Sequence, residues 1–161
     1  MHKGGQIQLS FGMIFSVIII AIVLFVAGYV ITNFIKTRDC IQLGTFNKAL
    51  ANEVERAYRS QGQSLSFQGS LPAKINFVCF GNLNGPSSTA DKPRQQYFKE
   101  HSMDNKNLFF YPIIESCGSN INSYLLEHAR SAEFFCISTK SGKVELKISK
   151  EPLEALAKLS K

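Results

Sequence analysis

Residues 11–35 contain no charged side chain, and this run constrains the fold more than any other feature of the sequence. A helix of about 25 residues is about 37 Å long, enough to cross a hydrocarbon core of about 30 Å. A chain of 161 residues has too little other mass to surround so long a helix that is apolar on every face. We therefore expect a transmembrane helix at 11–35, a short basic leader at 1–10 and one extracytoplasmic domain at 36–161, which makes a lipid bilayer the first expected partner.

A cleaved secretory signal is the main alternative for this run, because small residues at 26–28 follow the first apolar stretch. Apolar character continues to residue 35, whereas the core of a secretory signal is only about 7–15 residues long. The length of the run thus favours an anchor that stays with the protein.

Four cysteines lie beyond the apolar run, at Cys40, Cys79, Cys117 and Cys136. Their wide spacing matches no compact zinc motif. An even number of scattered cysteines in a small domain indicates two disulfides and an oxidising space outside the cytoplasm, although four buried free thiols remain the alternative. If the strands that carry Cys79 and Cys136 pair, a bond between them would leave Cys40 with Cys117, but four cysteines allow three pairings and the sequence does not choose.

The domain carries a modest positive charge, since almost all of the 18 Lys and Arg and all of the 12 Asp and Glu follow the apolar run. Such an excess favours contact with acidic surfaces such as lipid head groups or anionic glycans. No basic run is dense enough for a phosphate footprint, so we expect no nucleic-acid partner.

Periodicity predicts the elements of the domain. Apolar residues recur every three or four positions from 43 to 58, which indicates an amphipathic helix that ends at Gly62 and continues the apolar run. Alternation at 65–80 predicts two antiparallel strands, of which the second is apolar enough to be covered on both sides. Residues 81–107 read as a long surface loop with a helical turn near 94–101.

This loop holds the candidate contact patch of the domain. A partner would be contacted by two rings flanked by two cations, at Arg94, Tyr97, Phe98 and Lys99. The alternative is that the two rings simply fasten the loop to the domain.

The remaining sequence predicts a strand at 107–114, a short helix around 122–128, a hairpin over 135–148 with Gly142 in its turn, and a short helix at 152–159. The fold class expected is α+β, with one long N-terminal helix, transmembrane and then amphipathic, packed on a four- to five-stranded antiparallel sheet, and a short C-terminal helix.

Motifs for catalysis are lacking in the sequence. It has no phosphate-binding glycine loop, no zinc-binding histidine pair and no nucleophile elbow, so we expect no enzyme, no cofactor and no metal site. A membrane-tethered enzyme would have to use a nucleophilic pair such as Cys117 with His128.

The N-terminus resembles the class III signals of archaeal type IV pilin-like proteins, in which a short basic leader ends in glycine or alanine before a glutamine. Lys3, Gly4, Gly5 and Gln6 fit this pattern, and the resemblance implies cleavage between Gly5 and Gln6. Many members carry a glutamate five residues into the mature helix, where this chain has Ser10.

That resemblance implies the fold outline of a long helix followed by an antiparallel sheet, and packing of the helix against its copies in a surface filament. The function expected is therefore that of a single-pass, pilin-like protein in filament assembly or adhesion, with homo-oligomers formed through the N-terminal helix. The alternative is an anchored binding module that never polymerises and uses 81–107 as its contact surface.

Overall fold

The computed structural model describes residues 11–60, 62, 64–101 and 105–161. The chain forms two compact units, of which the first ends at Lys36 and the second is Thr37–Lys161. One helix, α1 (Phe11–Arg59), begins in the first unit and ends in the second. The other elements of the second unit are helices α2 (Lys92–Glu100) and α3 (Ser119–Asn122), a 3₁₀ turn at Glu115–Cys117, and strands β1 (Ser64–Ser70), β2 (Phe77–Phe80), β3 (Leu108–Tyr111), β4 (Ser123–Tyr124), β5 (Ala129–Arg130), β6 (Phe135–Ser138), β7 (Lys143–Ser149) and β8 (Ala157–Ser160).

Within the second unit, α1 buries a stripe of apolar side chains spaced three or four residues apart, as the periodicity predicts. The ring of Phe46 lies at the centre of this stripe, 5.5 Å from the ring of Phe67 in β1 and 5.7 Å from that of Phe110 in β3. Since β1 and β3 belong to different sheets, the helix packs on two sheets at once. The prediction of a mixed α+β unit is confirmed.

Sheet A has the strand order β1-β7-β8-β5. Strand β7 pairs antiparallel with β1 and with β8, whereas β5 pairs parallel with β8. The prediction of one purely antiparallel sheet is therefore wrong in two respects, because the described residues form two sheets and this one is mixed. Apolar residues of β7 and β8 alternate with exposed ones, so sheet A has one buried face and one face in solvent.

Sheet B has the order β4-β3-β2-β6 and is antiparallel throughout. One face contributes to the core under α1, and the other packs against α2, whose fully buried Phe98 lies 5.0 Å from the ring of Phe109. Strand β2 is thus covered on both sides, as its apolar run predicts.

The hairpin predicted over 135–148 is wrong, although both of its strands and its turn exist. Strand β6 belongs to sheet B and β7 to sheet A, and only the pair Lys140 and Lys143 joins the two segments as a bridge. Gly142 takes a φ of 73° in the turn, and its carbonyl accepts a hydrogen bond from the Leu71 amide at 2.7 Å. Strands β1 and β2, which the sequence predicts as an antiparallel pair, likewise lie in different sheets.

Two predicted helices are also wrong. The C-terminal segment forms strand β8, because Ala157 and Leu159 are buried with exposed Lys158 between them, which is the period of a strand. The helix expected near 122–128 lies earlier, at Ser119–Asn122. Asn122 ends it by donating to the carbonyls of Ile114 and Gly118 and accepting from the Ile114 amide.

Candidate functional site

The apolar segment 11–35 is helical and leaves its large side chains uncovered. The exposed fractions of its bulky apolar residues range from 44% to 84%. Two aliphatic hydroxyl groups in the segment bond to their own helix, since Ser16 donates to the carbonyl of Gly12 at 2.8 Å and Thr32 to that of Tyr29 at 2.9 Å. Such internal bonds remove the cost of placing a hydroxyl in hydrocarbon.

By length and composition, one helix among the described residues could cross a membrane, and its most apolar window has a mean hydropathy of 3.0 with no part buried. This is the part of the membrane prediction that the structure bears out. The predicted leader cleavage between Gly5 and Gln6 lies outside the described residues.

All four cysteines form disulfides, Cys40 with Cys117 and Cys79 with Cys136. The first bond joins α1 to the 3₁₀ turn that precedes α3. The second joins two residues that face each other in the register of β2 and β6. Cys117, considered above as a nucleophile, therefore has no free thiol in this structure.

The predicted contact patch lies on α2, and the structure distributes its four side chains differently. Phe98 is fully buried against sheet B, so the alternative that the rings fasten the segment applies to it. Arg94 lies 3.6 Å from the centre of the Phe77 ring and 3.1 Å from a carboxylate oxygen of Asp91. Tyr97 is half-buried and Lys99 is exposed, which leaves a small accessible surface.

A cluster that the sequence does not reveal joins the end of α1 to the segment before β5. Nδ1 of His128 lies 2.8 Å from Oε2 of Glu55, and its ring stacks on Tyr58 at 4.0 Å. The hydrogen bond from Arg59, followed by the one with His128, holds the pKa of the Glu55 carboxyl below its ordinary value of 4.5. His128 adopts a positive φ of 60°, in the left-handed region that few residues other than glycine and asparagine occupy.

Two open grooves flank sheet A. The larger, of about 860 Å³, lies near the edge strand β5 and is lined by asparagines together with Arg130 and Lys106. The smaller, of about 590 Å³, lies at the opposite edge beside β1 and includes Lys140 and Lys143. Among the described residues, no group of three or more histidines, cysteines and carboxylates is close enough to hold a metal ion.

Comparison with models of protein families, with curated proteins and with solved structures found no match for this chain.

Proposed function

We propose that this protein is a single-pass, pilin-like membrane protein whose apolar segment 11–35 anchors it and packs against its copies in a surface filament. The observation that carries the proposal is the absence of any charge in this segment, together with the exposure of its large apolar side chains. In water so much uncovered apolar surface is unfavourable, at roughly 25 cal/mol per Å². Lipid or sibling helices would cover it.

The two disulfides support an extracytoplasmic location for the domain, since such bonds persist in oxidising compartments. The basic leader pattern that ends in Gly5 and Gln6 supports the pilin-like assignment. In this proposal the domain has a structural or binding role and carries out no catalysis.

The anchor can be tested with two triple-arginine variants of the full chain. The first variant places arginine in the apolar segment, with Ile18→Arg, Ile22→Arg and Phe25→Arg. The second, the control, replaces exposed apolar residues of the second unit, with Ile41→Arg, Leu125→Arg and Leu153→Arg. Arginine near the centre of a membrane helix costs about 3 kcal/mol, so only the first variant should leave the membrane fraction after an alkaline wash. Equal membrane retention of the two variants, or a wild-type chain that is soluble without detergent, would refute the anchor.

Polymerisation needs a separate measurement. Mass spectrometry of the mature N-terminus should find Gln6 rather than Met1, and electron microscopy of sheared surface material should find the chain in filaments. An anchored protein with an intact Met1 and no filaments would instead be the non-polymerising binding module.

A further inference from the structure

We infer that the outward face of sheet A binds an acidic polysaccharide. This outward face is formed by the side chains that alternate with the core residues along four strands, all exposed except the half-buried Ser149 and Ser160: Ser64, Ser66, Gln68, Ser70, Arg130, Lys143, Glu145, Lys147, Ser149, Lys158 and Ser160. The inference concerns the second unit alone and does not depend on how the protein is anchored.

The composition of the outward face is unusually uniform. It has four cations, one carboxylate, and otherwise hydroxyl and amide groups, with no aliphatic or aromatic side chain among its eleven residues. Sheet B offers no comparable surface, because both of its faces are covered by other parts of the chain. The fold therefore leaves one sheet face to solvent, and that face is basic.

Strand register concentrates the positive charge rather than dispersing it. Lys158 of β8 lies directly opposite Arg130 of β5, and Lys147 of β7 is one diagonal step from Lys158. Like charges at directly opposed positions of a sheet are destabilising. Glu154 offsets part of this repulsion, with a carboxylate oxygen 3.7 Å from the Arg130 guanidinium. Among the described residues, the three lysines of the outward face form no ion pair, so an external anion can reach them.

The basic surface continues beyond the sheet at both edges. Arg130 also lines the larger groove, where Lys106 adds a cation and several asparagines add amide groups. Lys143 lines the smaller groove together with Lys140. A linear polyanion that crosses the strands would therefore meet cations and hydrogen-bonding groups along its whole path.

The chemistry of the outward face favours a polysaccharide over other polyanions. Serine hydroxyls and the Gln68 amide both donate and accept hydrogen bonds, as the hydroxyl groups of a sugar require. Proteins that bind single-stranded nucleic acid stack its bases on aromatic rings, and segments that insert into a membrane surface use apolar side chains. The outward face provides neither, whereas its lysines match the carboxylates of an acidic sugar chain.

The test measures binding of the full chain, in a non-ionic detergent, to oligomers of alginate, whose uronate units each carry a carboxylate. The outward-face variant removes three lysines of that face, with Lys143→Ala, Lys147→Ala and Lys158→Ala. The control variant removes three exposed lysines elsewhere, with Lys48→Ala, Lys92→Ala and Lys99→Ala. Neutral dextran, polyglutamate and duplex DNA serve as further probes. Near-UV circular dichroism checks that all three chains are folded.

We expect the outward-face variant to bind alginate at least about tenfold more weakly than wild type, with a shallower dependence on salt, and the control variant to stay within about twofold. Equal losses in the two variants would mean that only net charge matters and would overturn the inference. So would failure of the wild-type chain to bind alginate, or binding of dextran, polyglutamate or DNA as tightly as alginate.

Discussion

Removal of the disulfide between Cys40 and Cys117 should destabilise the domain by about 4 kcal/mol. The two cysteines are 77 residues apart, and closing a loop of that length restricts the unfolded chain by about 4.5 kcal/mol at 25 °C in the chain-entropy relation. The second disulfide, Cys79–Cys136, persists in the variant and shortens the covalent path between residues 40 and 117 to about 60 residues. The expected loss of unfolding free energy is therefore about 4 kcal/mol. The free energy of unfolding of an ordinary domain is about 5–15 kcal/mol, so this loss is a large fraction of the total stability.

The assay is urea unfolding of the full chain in non-ionic detergent, followed by tyrosine circular dichroism, with Cys40→Ala and Cys117→Ala combined in one variant. With a denaturant slope of about 2 kcal/mol per molar urea, the midpoint should fall by about 2 M. Reduction of the wild-type chain, which breaks both bonds, should lower the midpoint further than the variant. A loss below about 1 kcal/mol with an unchanged slope would refute the reasoning, because the bond would then not restrict the unfolded chain as assumed.

Two further substitutions test the packing and the charge cluster. In Gly69→Ala the new methyl group would lie 2.6 Å from Cδ2 of Phe46 in the core, so we expect a loss of about 1–3 kcal/mol in urea unfolding, partly recovered by Phe46→Leu in the same chain. The lowered pKa of Glu55 means that its stabilisation is present above pH 4.5 and is lost as the pH falls through the folded-state value. In Glu55→Gln, the urea midpoint should therefore fall less steeply with decreasing pH below 4.5 than in the wild type. An unchanged dependence on pH would show that the Arg59 and His128 contacts of Glu55 do not stabilise the domain.

Local pattern predicts the elements of this chain better than their partners. The stripe from Leu43 to Ala57 predicts the buried face of α1, and the apolar run at 77–80 predicts a strand covered on both sides. Pairing depends on contacts between distant segments, for which the sequence holds no local signal. Strand β7 therefore pairs with β1, far from it in sequence, instead of with β6 across a short turn.

The terminal segment shows how two patterns compete. Leucines at 153, 156 and 159 are spaced for a helix, but only Leu159 is buried, together with Ala157. As a strand, the segment forms backbone hydrogen bonds with the edge of β7. As a short isolated helix it would be only marginally stable, since helices of fewer than about 12 residues are marginal in water. Tertiary context thus decides for a strand where spacing favours a helix.

Candidate sites were predictable to the extent that they consist of consecutive residues. The apolar segment 11–35 is a run in the sequence, and the structure finds it helical and uncovered. The contact of His128 with Glu55 joins residues 73 positions apart, and no spacing rule connects them. The outward face of sheet A is likewise assembled from four strands that only the register brings together.

The contrast between the two sheets explains where the charge of the domain goes. Sheet B is covered by α1 on one face and α2 on the other, so three of the four residues of its strand β2 are buried and only Phe77 is partly exposed. Strand β7 of sheet A alternates core residues with Lys143, Glu145 and Lys147, because only one of its faces is covered. A strictly alternating strand beside a continuously apolar one therefore indicates a fold with one open sheet face. The cations on that face give it a chemistry that the covered sheet cannot have.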